Sequence, residues 1–234
     1  QDKQGFMWFG TANRLNRYDG SSIINFNCYD DSIKEGNNNI NSLYEDSKHR
    51  IWIGTDRGIY IYDPRSEQMK KIVSEDKTAK VPFNWVESMT GTPDGDIWCI
   101  VPDEGVYRFV GGDEKQCHLY SVLKDEKVSV NGSCIDETGT LWIGSNKKGL
   151  FRYNSGKDSF EHIKTDNNGY SIQDIITTSL CKWRDEILVT SYAGELYRYH
   201  PKQNLFRQIP ITLEQSSFFH MVKVKGDEQI TAFM

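Results

Sequence analysis

Five histidines are the first residues in this chain that could do acid–base or metal chemistry: His49, His118, His162, His200 and His220. No two fall at metal-ligand spacing, and none sits beside a nucleophile motif. The five cysteines, Cys28, Cys99, Cys117, Cys134 and Cys181, are odd in number, widely spaced and without Cys-x-x-Cys. That pattern supports neither a zinc site nor a disulfide framework, and cysteines within apolar runs read as small buried hydrophobes. No Gly-rich phosphate loop leads from a strand into a helix, and no kinase motif is present. No catalytic residue, metal or cofactor is therefore expected in this segment.

A second set of polar residues sits in short turns between apolar runs: Asn13 and Arg14, Asp56 and Arg57, Asp103 and Glu104, Asn146 and Lys147, and Tyr192. Amides and paired charges both bond hydroxyls, so they suit a sugar or a uronic acid. They equally suit a solvated loop. The run Phe83-Asn84-Trp85 adds an aromatic that could stack on a sugar face, with packing onto a neighbouring loop as its alternative. The Asn37-Asn38-Asn39 run is most simply a turn former.

The elements that carry these turns follow from composition and from repeats. The chain has 234 residues, a net charge of −5 and 12% aromatics. It is too apolar for a disordered segment, and it shows no basic footprint for nucleic acid or anionic lipid. No apolar run reaches the eighteen residues of a membrane span. Trp8, Trp52, Trp98 and Trp142 recur at spacings of 44, 46 and 44 residues. Around them the text repeats as Phe6-Met7-Trp8-Phe9-Gly10-Thr11, Ile51-Trp52-Ile53-Gly54-Thr55 and Leu141-Trp142-Ile143-Gly144-Ser145, with a looser copy at Ile97-Trp98-Cys99. Ile187-Leu188-Val189-Thr190-Ser191 is a copy without Trp. Asp2, Asp46 and Asp136 each stand six residues before a Trp. A second half-motif follows each copy, as in Leu15-Asn16-Arg17-Tyr18 and Leu150-Phe151-Arg152-Tyr153.

Each unit reads as four short strands, A to D, per roughly 44 residues, which is the blade of an all-β propeller. A large Trp plate on strand B serves the contact between blades, and Gly10, Gly54 and Gly144 permit close approach. The Asp can bond the amides of the A–B turn. The expected organisation is one propeller region over 1–234. It comprises a partial first blade (1–29), blades at 38–73, 85–120, 129–164 and 175–210, and a partial sixth (217–234). The first unit lacks strand A and the last lacks C and D, so the chain reads as a piece of a longer protein. The channel-end B–C and D–A loops would then hold the polar residues named above.

The stretch from Asp2 to Gly20, with copies at 46–63 and 136–154, resembles the two-component-regulator propeller repeat. Arg14, His49 and Thr92 depart from its pattern. The resemblance implies five to six repeats of a seven-bladed propeller in the periplasmic sensor region of a hybrid histidine kinase. It also implies a glycan-derived ligand, transcription control through other parts of the protein, contacts with a neighbouring propeller and β-sandwich, and a homodimer. An enzyme resembling streptogramin lyase, with His220 as the nearest candidate, and a scaffold propeller without a ligand are the alternatives.

Overall fold

The structure, a computed structural model, describes residues 1–73, 81–102, 104–121 and 129–210, and the backbone of 220–223 and 230–233. It divides into two compact units, Gln1–Pro102 with Val106–Tyr120, and Asp103–Gly105 with Ser121–Met234.

In the first unit, β1 (Met7–Gly10), β2 (Leu15–Tyr18) and β3 (Ile23–Phe26) form a three-stranded antiparallel sheet. A small hairpin, β4 (Tyr29–Asp30) and β5 (Glu35–Gly36), follows it. The next blade is β6 (Ile40–Glu45), β7 (Ile51–Thr55), β8 (Gly58–Asp63) and β9 (Gln68–Lys71). After it come β10 (Ser88–Gly91), β11 (Ile97–Val101), β12 (Gly105–Phe109) and β13 (Cys117–Tyr120). The second unit holds β14 (Val130–Ile135), β15 (Leu141–Ser145), β16 (Leu150–Asn154) and β17 (Ser159–Ile163). Beside these lie β18 (Thr177–Trp183), β19 (Glu186–Ser191), β20 (Leu196–His200) and β21 (Leu205–Ile209), and a pair, β22 (His220–Lys223) with β23 (Ile230–Phe233).

Strand B of each Trp-bearing four-stranded blade is buried along its whole length: β7, β11 and β15. Covered on both faces, such strands read as apolar runs instead of alternating ones. Outer strands such as β9 alternate exposed with partly buried residues. Three A strands shift register at their start, at Ile40/Ser42, Val130/Gly132 and Thr177/Ser179, where a bulge re-aims the strand.

The tryptophans explain the repeat. Trp52, Trp98 and Trp142 are essentially fully buried. Asp46 accepts the Trp52 indole N–H at 2.9 Å and the amides of Lys48 and Arg50, both at 2.9 Å. Asp136 does the same for Trp142 at 2.8 Å and for Thr138 and Thr140, and Asp2 does so for Trp8 at 2.7 Å. One carboxylate thus ties the A–B turn to the plate beside it. Burial pushes the Asp46 carboxyl up, but bonds from Trp52 and Arg50 outweigh it and leave the pKa below the ordinary value. For Asp136 the same opposition holds, with Thr138, Trp142 and Thr140 donating, and the net shift is again downward.

A guanidinium lies over each ring: Arg17 over Trp8 at 5.8 Å, Arg108 over Trp98 at 5.4 Å and Arg152 over Trp142 at 5.9 Å. In the second blade Ile61 pairs opposite Trp52, and Arg50 from the A–B turn supplies the cation instead, at 5.7 Å. Such contacts are worth ~0.5–2 kcal/mol each, depending on exposure. The glycines sit where the following blade arrives. A Cβ added at Gly10 would collide with Ile40, one at Gly54 would lie 2.8 Å from Val86 Cγ1, and one at Gly144 2.5 Å from Leu180 Cδ1.

The cysteines are free thiols, four of them buried and Cys117 partly so. Burial alone pushes Cys28 and Cys117 up to about 12.

Candidate functional site: the loop cluster of the second blade

The B–C turns after Thr11, Thr55, Ser145 and Ser191 are closed by that residue's hydroxyl, whereas Val101 stands at this place in the third blade. Thr55 Oγ1 donates to the Gly58 carbonyl at 2.9 Å and accepts from the Arg57 amide at 3.1 Å. Thr11 does the same for Arg14 and Asn13, Ser145 for Gly149 and Lys148, and Ser191 accepts from the Glu195 amide. These turns also grip the chain entering the next blade. The Thr11 carbonyl accepts from Ile40 N at 2.9 Å and the Thr55 carbonyl from Val86 N at 2.9 Å, while Thr177 Oγ1 donates to the Ser145 carbonyl at 3.0 Å.

The D–A segment 81–87 is clamped onto the second blade at two points, by Val86 N to Thr55 and by Gly58 N to the Asn84 carbonyl at 3.2 Å. Gly58 is required there: its φ is 98°, and a Cβ would meet the Pro82 carbonyl oxygen at 2.7 Å. The segment bends at Asn84. Pro82 and Val86 turn inward, while Phe83 and Trp85 stay 68% and 55% exposed. Trp85 is nonetheless tethered. With its amide oxygen turned toward them, Asn41 accepts from Trp85 Nε1 at 3.2 Å and from the Asp56 amide at 3.3 Å. Asn39 Nδ2 donates to Asp56 Oδ2 at 3.3 Å, whereas Asp56 Oδ1 is buried and meets no donor among the described residues. Arg57 is exposed.

The structure therefore brings Asp56, Arg57 and Trp85 into one cluster, with Asn39, Asn41, Phe83 and Asn84 around them. Asn13 and Arg14 lie exposed on the adjacent turn, whose Thr11 binds Ile40 beside Asn39. In the second unit Asn146 is committed to the fold: its Oδ1 accepts from Ser129 N and its amide donates to the Ser129 carbonyl, both at 3.0 Å. Lys147 is exposed, and Tyr192 is 56% exposed with its amide bonded to Ile176. Glu104 is partly buried, and Asp103 lies outside the described residues.

Two cavities lie elsewhere in the first unit. One of about 440 Å³ sits beside the Asp2 and Glu45 turns, and one of about 540 Å³ lies between Tyr29–Ser32 and β9. Three of the histidines make local contacts, and His118 lies exposed on β13. His49 Nδ1 meets Glu45 at 2.8 Å, His162 bonds the Lys148 carbonyl at 2.7 Å and stacks on Phe151, and His200 meets Asp185 at 3.1 Å. The side chain of His220 lies outside the described residues. Among the described residues, no group of three or more His, Cys, Asp or Glu is arranged to hold a metal ion.

Comparison with known proteins places the second blade. Residues 34–57 match the two-component regulator propeller family. No curated protein sequence matches the chain. Among solved structures, the extracellular domain of the hybrid two component system BT4673 from B. thetaiotaomicron is similar at 21% identity with a TM-score of 0.76. The match covers 96% of this chain and 32% of that one, so the chain spans about a third of that domain's length. PorZ, a surface component of the type-IX secretion system of Porphyromonas gingivalis, is similar at 16% identity, with a TM-score of 0.74 over 97% of this chain and 37% of PorZ. Virginiamycin B lyase from Staphylococcus aureus is similar at 12% identity, with a TM-score of 0.72 over 94% of this chain and 71% of the lyase. The fold is a β-propeller. A two-component-system domain, a secretion component and a lyase share it, so the fold by itself assigns no chemistry.

Asn39 and Asn41 are the functional candidates that sequence reasoning missed. Their roles arise from contacts with Asp56 and Trp85, far along the chain. The only signal was the amide-rich run from Asn37 to Asn41 at the start of strand A.

Proposed function

We propose that this chain is part of the extracytoplasmic sensor propeller of a hybrid two-component histidine kinase and response regulator. The observation that carries the reading is the family match at residues 34–57, which ends inside the loop cluster at Asp56 and Arg57. The described blades belong to a seven-bladed propeller in the periplasm, flanked by a second propeller and a β-sandwich of the same protein. The ligand is a glycan fragment, met at the B–C and D–A loops by amides, charges and exposed aromatic faces. Its binding biases domain or dimer packing, because a ligand shifts only those states it binds differently. Kinase and DNA-binding parts elsewhere in the protein then control genes for carbohydrate use. The segment itself acts by binding and not by catalysis.

Calorimetric titration of the whole ectodomain against a panel of oligosaccharides tests the ligand class. Saturable heat with at least one glycan is expected, and no heat with any contradicts it. Sequencing the gene beyond this segment tests the sensor assignment: a membrane helix and histidine-kinase core are expected downstream, and their absence contradicts it.

A further inference from the structure

We infer that Asn168 is a deamidation site, and that its conversion to isoaspartate releases the connection between β17 and β18 from the edge of β21. The chain holds two Asn-Gly pairs, Asn131-Gly132 and Asn168-Gly169. Glycine after asparagine leaves the next backbone nitrogen least hindered for attack on the side-chain amide. The structure treats the two pairs differently. Asn131 is partly buried in β14, and its Nδ2 donates to the Thr177 carbonyl at 3.0 Å. A Cβ at Gly132 would lie 3.4 Å from the backbone of Ser179 and Leu180, so the neighbouring strand packs against that pair. Asn168 and Gly169 are both exposed in a turn, and nothing lies within 4 Å of a Cβ added at Gly169. The Asn168 side chain has no bonding partner among the described residues.

The reaction needs only water. The Gly169 nitrogen attacks Asn168 Cγ, the Cγ–Nδ2 bond breaks, and Nδ2 leaves as ammonia with the proton that Gly169 gives up. Water then opens the cyclic imide at the former main-chain carbonyl to leave isoaspartate, or at Cγ to leave aspartate. Ring closure has to draw the Gly169 amide off Asp166, whose carbonyl it meets at 3.1 Å, and such an opening costs little at an exposed turn. Isoaspartate routes the main chain through Cβ and Cγ, which lengthens it by one atom, and leaves a new carboxylate on Cα. Asp166 sits at the centre of this turn and is 6% exposed. Its carboxylate accepts the amides of Asn168 and Tyr170, both at 2.8 Å, and the Phe206 amide of β21 at 3.0 Å. Burial pushes this carboxyl up, but the bonds from Phe206, Tyr170 and Asn168 outweigh it and leave the pKa below the ordinary value. A lengthened chain misplaces the Tyr170 amide, and the new carboxylate repels the charge already there. Asn167, which bonds the Gln203 and Asn204 carbonyls at 2.7 and 2.9 Å, is drawn off with it.

The test is incubation of the folded full chain at mildly alkaline pH, followed by peptide mass mapping and labelling with a protein isoaspartyl methyltransferase. The Asn168 peptide is expected to gain the mass of an amide-to-acid conversion and to take the methyl label, at least about tenfold faster than the Asn131 peptide. Asn168→Gln removes the conversion, because its longer side chain does not close the same ring. The isoaspartyl form, separated by anion exchange, should show faster hydrogen exchange at the Tyr170 and Phe206 amides than the parent. Asn168→Asp, which adds the charge without the extra main-chain atom, should move them less. Conversion of Asn131 first, equal rates at the two pairs, or no conversion at Asn168 overturns the site. An isoaspartyl form that protects Phe206 as the parent does overturns the release from β21.

Discussion

Trp52 and Trp85 belong to the same unit and do opposite jobs. Trp52 is fully buried, bonded to Asp46 and set edge-on against Phe109 at 5.0 Å. Trp85 is 55% exposed and bonded to Asn41. Each indole N–H has a partner, so hydrogen bonding does not separate them; what covers the ring does. The tryptophan that recurs every 44 to 46 positions holds blades together; of the two outside the period, Trp183 packs against Cys181 and Leu188, and Trp85 is the exposed one.

Two blades of the second unit extend the lesson. β14 to β17 carry Asp136, Trp142 and Arg152 as one latch. In β18 to β21, Leu188 stands at the Trp position opposite Arg198, and the A–B turn between Trp183 and Glu186 is only two residues long. Arg198, with no indole plate to cover, bonds Glu186 at 2.7 Å instead. Plate, long turn and Asp are all absent from this blade, whereas the blade of Trp98 keeps the plate and the long turn with Thr92 in place of the Asp.

The contrast can be broken or sharpened by substitution, beginning with the largest effect. Trp52→Ala or Trp142→Ala is expected to cost about 3–5 kcal/mol in denaturant unfolding, as for buried aromatics generally. Asp136→Ala is expected to cost about 1–3 kcal/mol, since it strands the Trp142 indole and two turn amides. Its pH signature is definite. The folded carboxyl titrates below the unfolded value of about 4, so its stabilisation is complete above that pH and is lost as pH falls through the lower folded value. Asp136→Asn should flatten the acid limb of a stability–pH curve, and an unchanged limb would show that Asp136 is not the group responsible. Gly144→Ala is expected to cost about 1–3 kcal/mol by pushing a Cβ into Leu180. Trp85→Ala, at the exposed end of the series, should stay within about 0.5 kcal/mol of the parent.

The repeat made the blade legible in sequence, because Trp, Asp and Gly at a fixed period each have one physical job. Exchanges within that job were not legible. Ile61 leaves the expected Arg position empty, and only the structure shows Arg50 reaching over Trp52 from the turn. At Thr92 the motif lacks its carboxylate, and Asp96 turns to Arg108 and the Gly111 amide instead. The candidate site was half legible. Asp56, Arg57 and Trp85 stood out as charges and an aromatic in turns, yet Asn146, chosen on the same grounds, proves to be bonded to Ser129. A turn residue's type does not say whether its side chain faces the chain or the solvent; the partner strand decides that.

The division of labour between repeated and unrepeated residues is tested most directly by thermal melting and glycan titration of Trp85→Ala beside Trp52→Ala. Trp85→Ala should melt within about 2 °C of the parent and lose glycan binding, while Trp52→Ala melts far lower. A Trp85→Ala protein that melts as low as Trp52→Ala, or that binds glycan as the parent does, would contradict the account.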